Sequence, residues 1–82
     1  MRWTFGVAIK SELHAEMRIF QVVDCQQAVV LAFSGRRHGD ELRIMLDVET
    51  DEPRARRIES LLRNLQAVLC VEASSGEGSA RE

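Results

Sequence analysis

Bulky apolar residues alternate with small or polar ones at the start of the chain. Trp3, Phe5, Val7 and Ile9 fall on one side, and Thr4, Gly6, Ala8 and Lys10 on the other. A period of two with large side chains on one face predicts a half-buried strand. The period changes after Ser11, whose hydroxyl suits the free N–H groups of a helix start, while Glu12 suits its positive dipole end. Ala15, Ile19, Val22 and Val23 then keep the i, i+4, i+7, i+8 spacing of one helix face. Leu13, Met17 and Phe20 widen the stripe, so more than one side of this helix is expected to be buried. Asp24 to Gln27 should end it, without the glycine that usually stops a helix.

The run Ala28-Val29-Val30-Leu31-Ala32-Phe33 is short, continuous and β-branched, the pattern expected of a strand covered on much of both faces. Ser34 to Asp40 contains two glycines and reads as a loop. Leu42, Ile44, Leu46 and Val48 alternate with Arg43, Met45, Asp47 and Glu49, a strand with one wet face that closes a hairpin with the previous one. Thr50-Asp51-Glu52-Pro53 has the acidic residues and early proline of a helix N-terminus. Ala55, Ile58, Leu61, Leu62 and Leu65 follow at helical spacing, with Arg54, Arg56, Arg57, Glu59 and Arg63 on the other face. Val68 to Val71 reads as a last short strand. Residues 1–73 therefore form one domain, and 74–82, rich in Ser, Gly and charge, a flexible tail.

The order strand, helix, strand, strand, helix, strand, with right-handed crossovers, places both helices on one face of a four-stranded antiparallel sheet. This is the α+β, ferredoxin-like βαββαβ sandwich. Its first and third strands should be central. A sheet with one uncovered face and bare edges is expected to pair with a copy of itself.

Composition narrows the function. With 82 residues the chain holds one small domain, which buries about 60% of its unfolded surface. Eleven Lys+Arg against 13 Asp+Glu give a net charge of −2, without the basic excess that nucleic acid or an anionic membrane would attract. RNA recognition on such a sheet also needs exposed aromatics on the central strands, and Trp3 and Phe5 read as core. No apolar run is long enough to span a bilayer and no signal-peptide pattern opens the chain, so a cytoplasmic location is expected. Cys25 and Cys70 lie far apart with no Cys-x-x-Cys or histidine at ligand spacing, which excludes a zinc ribbon; two half-buried thiols in a reduced cytoplasm are expected, with a single disulfide between them as the alternative. No metal or cofactor is expected.

Candidate chemistry is sparse. His14 and His38 have no nucleophile at hand, and the chain lacks phosphate-loop, dinucleotide-binding and nucleophile-elbow motifs. No catalytic residue is therefore assigned. Arg36, Arg37 and His38, in the expected hairpin loop, are candidates for contacting an acidic patch on a partner.

Two stretches carry a resemblance. Ile58-Glu59-Ser60-Leu61-Leu62-Arg63-Asn64-Leu65-Gln66-Ala67-Val68-Leu69-Cys70-Val71-Glu72 resembles the second helix and last strand of the ACT domain, with its leucine, leucine, valine-x-x-valine pattern. Arg18 to Val23 followed by Ala28 to Leu31 resembles that family's first helix running into its second strand. ACT domains are small ligand-responsive modules that regulate amino-acid metabolism. Within the family the chain is similar to the short regulatory subunits of acetolactate synthase of the isozyme II kind.

The resemblance implies a non-catalytic subunit, itself free of cofactor, that dimerises and binds the large catalytic subunit holding thiamine diphosphate, FAD and Mg²⁺. It would act in branched-chain amino-acid biosynthesis. Effector-binding members have a Pro-Gly turn between the first strand and first helix, so Ser11, Glu12 and Leu13 would line any site for a small amino acid. Here that stretch has neither proline nor glycine, and Glu12 would repel a carboxylate. The absence of valine inhibition is therefore expected. A free-standing amino-acid sensor controlling another enzyme or regulator is the alternative.

Overall fold

The computed structural model describes residues 1–10 and 14–75. Six elements follow one another: β1 (Arg2–Lys10), α1 (Ala15–Cys25), β2 (Val29–His38), β3 (Glu41–Glu49), α2 (Glu52–Arg63) and β4 (Val68–Ser75). The four strands form one antiparallel sheet in the order β2-β3-β1-β4. Both helices pack on one of its faces, giving the ferredoxin-like βαββαβ sandwich that the element order predicts.

The core lies between this face and the helices. Trp3, Phe5, Val7 and Ile9 of β1 meet Ile44, Leu46 and Val48 of β3 and Val71 of β4. Ala15, Ile19 and Val23 of α1 and Ala55, Ile58 and Leu62 of α2 close over them. The alternating residues of β1 and β3 thus bury the side their period assigned. Met17 does not widen the buried stripe of α1: it is exposed, while Phe20 is partly covered.

The ends of the helices are set by different devices. Asp51 caps α2, its Oδ1 accepting the Arg54 N–H at 3.0 Å, with Pro53 in the first turn where a missing N–H is harmless. α1 begins at Ala15 behind His14, which adopts a left-handed conformation with φ 66°; the expected start at Ser11 and Glu12 lies outside the described residues. At its C-terminus Gln27 takes the left-handed position, φ 60°, that glycine normally fills. The Gln27 N–H donates to the Asp24 carbonyl at 2.9 Å and the Ala28 N–H to the Val23 carbonyl at 3.3 Å. These are the two hydrogen bonds of a Schellman stop, with partly buried Ala28 and buried Val23 both in the core cluster.

Three expectations change. The hairpin has no long loop: β2 runs to His38 and β3 begins at Glu41, leaving Gly39-Asp40 as the turn, with Gly39 at φ 62°. β4 runs through Ser75, and Ser74 and Ser75 pair with Thr4 and Trp3, so the ladder holds the first two residues assigned to the tail. Cys25 and Cys70 are both exposed rather than half-buried, because Cys25 ends α1 and Cys70 falls on the helix-free face of an edge strand.

Candidate functional site

The largest departure is β2. All ten of its residues are exposed, although its first five are apolar. Val29 is 60% exposed, Val30 41%, Leu31 49% and Phe33 49%. The strand order explains this. β1 takes both β3 and β4 as neighbours, which leaves β2 at the edge with one paired side. The core is built from β1, β3, β4 and the helices, so the helices do not reach far enough to cover β2. A continuous apolar run predicts burial on two faces in a parallel sheet, but here it forms an apolar edge.

Register sorts the side chains of β2 between the two faces. Phe33 pairs with Leu46, Gly35 with Ile44 and Arg37 with Leu42, so these three lie on the helix side. Phe33 packs on Phe20 of α1 with ring centroids 4.9 Å apart, and Met17, Phe20, Gln21 and Asp24 form an apolar shelf beside it. Ala32 pairs with Asp47, Ser34 with Met45, Arg36 with Arg43 and His38 with Glu41, all on the helix-free side. The register shifts between Val30 and Ala32, so Val30, opposite Val48, faces the helices and Val29, opposite Glu49, does not.

The proposed partner-contacting residues are therefore not a loop cluster. Arg36 and His38 share the open face, while Arg37 lies on the other. Ser11, Glu12 and Leu13 lie outside the described residues.

The open face has two distinct regions. Near its centre a shallow depression of about 360 Å³ lies over Gly6 and Ala8, flanked by Met45, Cys70, Arg43, Glu41 and Glu72. Its floor is nearly side-chain-free, since Gly6 has no Cβ and Ala8 a single methyl. A Cβ on Gly6 would come within 3.4 Å of the Met45 sulfur. Arg43 Nε donates to Glu41 at 3.2 Å. Toward the far end, Asp47 accepts from the Arg2 guanidinium and, at 2.8 Å, from the Thr4 hydroxyl. The Arg2 hydrogen bond, then that of Thr4, holds the Asp47 carboxyl below its ordinary value of 3.8 against a smaller opposing effect of burial.

At the same end of the sheet but on its helix side, the Arg56 guanidinium stands 5.4 Å from the centre of the Trp3 ring, oriented by Glu52 at 3.4 Å and Glu59 at 3.7 Å. The Trp3 indole N–H and the Thr50 hydroxyl are buried without a hydrogen-bond partner among the described residues. Among the described residues no group of three His, Cys, Asp or Glu side chains could hold a metal. No described helix is long and apolar enough to cross a membrane.

What sequence reasoning missed is the exposure of Val29 to Phe33. The available signal was the basic Arg36-Arg37-His38 stretch continuing directly from the apolar run. A strand buried on both faces does not end in three consecutive cationic or titratable residues, whereas an edge strand can.

No protein-family model matches the sequence, and no curated protein matches it. Solved structures do match in three dimensions. The ACT domain from GTP pyrophosphokinase of Chlorobium tepidum superposes with a TM-score of 0.80 at 12% identity, covering 90% of this chain and 97% of that one. An ACT domain protein from Streptococcus pneumoniae gives 0.76 at 13% identity, covering 96% and 93%. The C-terminal domain of the MgtC protein from Mycobacterium tuberculosis gives 0.77 at 15% identity, covering 99% and 93%. At these identities the shared property is the fold: the chain has the fold of an ACT domain over nearly its whole length.

Proposed function

We propose that the chain is a non-catalytic regulatory module of the ACT type, and specifically a small subunit that binds and stabilises the catalytic subunit of acetolactate synthase. The observation that carries the regulatory reading is the apolar β2 edge. A small domain that leaves Val29, Val30, Leu31 and Phe33 in water gains stability by covering them in an assembly. The narrower assignment rests on the sequence likeness of the second helix and last strand to short acetolactate synthase subunits. In that role the module would shift the catalytic subunit toward an ordered active conformation by binding it better than the disordered one.

The direct test is acetolactate formation by the large subunit of the same organism, measured with and without this chain and with added valine. The expected result is a several-fold gain in rate and no response to valine. An unchanged rate together with failure to co-purify removes the acetolactate synthase assignment. A free-standing amino-acid sensor is the second reading. It is favoured by the ACT domain of a GTP pyrophosphokinase being among the similar structures, since that protein's name places this fold outside acetolactate chemistry. A thermal-shift screen of amino acids separates the two: a specific rise in melting temperature with one amino acid supports the sensor.

A further inference from the structure

We infer that the depression on the open face binds an apolar monocarboxylate. Its carboxylate lies between Arg36 and Arg43, and its body covers Gly6 and Ala8. This goes beyond the regulatory reading above and does not depend on which enzyme is regulated.

The position of the anion follows from the register of β2 on β3. Arg36 lies directly opposite Arg43 on the helix-free side. Side chains paired in this way leave Cβ atoms about 5 Å apart, and like charges there repel. Arg36 is exposed and has no hydrogen bond or ion pair among the described residues. Arg43 gives its Nε hydrogen to Glu41 at 3.2 Å, which occupies one N–H of the guanidinium fork and leaves the others to a ligand. A carboxylate between the two guanidiniums accepts from both and turns their repulsion into attraction. The surrounding charges select a single negative group. Glu41, facing His38 on one side and Lys10 on the other, offsets one cation without cancelling the rest. Glu72 stands on the far wall of the depression and would repel a second acidic group at the other end of the ligand. The opposite end of the open face sets Asp47 and Glu49 against Arg2 and does not attract an anion.

The body of the ligand is set by the floor. Gly6 and Ala8 are successive open-face positions of β1, so the space above them, about 360 Å³, is bounded by Met45 on β3 and Cys70 on β4. The two walls stand two strand spacings apart, about 10 Å, which admits a branched aliphatic or phenyl group. Such a group also covers Met45, which is 52% exposed, and removes apolar surface from water on both sides. An α-amino acid fits less well. Its ammonium sits on the carbon next to the carboxylate and would be carried in among Arg36, Arg43 and Lys10, while Glu41, the acid at that end, is already engaged by Arg43. Like charges at that distance cost binding energy. The site therefore favours acids that lack the α-ammonium group.

The probe is isocaproate, the carboxylate that has the side chain of leucine without its ammonium. Titrated into the isotope-labelled full chain and followed by amide NMR, it should give saturable shifts at Gly6, Ala8, Arg36, Arg43 and Cys70 and none along α1, on the other side of the sheet. Leucine should bind about tenfold more weakly, and acetate, which has no body to cover the floor, more weakly than isocaproate as well. Arg36→Gln removes a charge-assisted hydrogen bond from an exposed side chain with no other partner among the described residues, so it should weaken binding about tenfold at an unchanged circular-dichroism spectrum. Glu41→Gln keeps an acceptor for Arg43 Nε while removing the offsetting charge, and should tighten binding several-fold. No saturable shifts, shifts centred on α1, leucine or acetate binding as tightly as isocaproate, an Arg36→Gln chain of wild-type affinity, or a Glu41→Gln chain of weaker affinity each overturns the inference. None of these results bears on acetolactate formation, so the two proposals fail independently.

Discussion

Replacing Gln27 by glycine should stabilise the protein, and the structure gives the size of the effect. Gln27 holds φ 60° so that its own N–H and that of Ala28 can reach the Asp24 and Val23 carbonyls. An L-residue with a Cβ in this left-handed region is destabilised by roughly 1–2 kcal/mol. Glycine removes that strain but adds freedom to the unfolded chain, which offsets about 0.4–1 kcal/mol. The net gain is about 1 kcal/mol. For a domain of this length that corresponds to a melting temperature higher by roughly 4–8 °C. Trp3 is the single tryptophan and is buried, so its fluorescence reports unfolding in urea without a label. The expected result is a higher midpoint at unchanged slope, since the surface exposed on unfolding stays the same. Protein concentration is held fixed throughout, since any association of copies makes a midpoint depend on it. Gln27→Val, β-branched and poorly suited to positive φ, should move the midpoint the other way. A Gln27→Gly protein no more stable than wild type would refute the strain argument, and would mean that the Gln27 side chain supplies a stabilising contact of equal size.

Two further outcomes follow from hydrogen bonds already described. Asp51→Ala deprives the Arg54 N–H of its acceptor at the start of α2 and should lower stability by about 1 kcal/mol in the same urea experiment, while Asp51→Ser should retain most of it. Asp47 titrates below 3.8 in the folded chain because Arg2 and Thr4 donate to its ionised form. Its contribution to stability is therefore complete above the unfolded value and is lost as pH falls through the lower, folded one. Asp47→Asn should make stability less steeply dependent on pH in that acid window, and a carboxyl titration of Asp47 by NMR at or above 3.8 would contradict the geometry.

Much of the architecture was legible in the sequence, because two periodicities report directly on two geometries. Alternation in Trp3 to Ile9 and Leu42 to Val48 can bury one side of a strand. The spacing of Ala55, Ile58 and Leu62 can bury one stripe of a helix. The element order with right-handed crossovers then left one topology, and β1 and β3 are its central strands. The absence of phosphate loops, metal-ligand spacings and triads was equally plain, since such chemistry needs particular residue types. The start of α2 was visible because the acidic residues and early proline of Thr50-Asp51-Glu52-Pro53 are neighbours in the chain.

Other features depended on contacts that sequence does not contain. The run Ala28 to Phe33 is the same string whether a strand is covered on both sides or lies at an edge. Its exposure followed once β1 had taken β3 and β4 as neighbours and the helices had settled over the centre of the sheet. Arg36, Arg37 and His38 looked like one loop cluster because their adjacency is a property of the chain. The extension of β2 to His38 distributed them over two faces, since side chains alternate in a strand. The stop at Gln27 carried no glycine to announce it, and the packing of Ala28 and Val23 into the core holds the chain in a conformation that glutamine alone does not favour. The sequence by itself thus determined which elements form and which of their sides are apolar. The tertiary structure decided which apolar sides found a neighbour, because covering a surface depends on where every other element comes to rest.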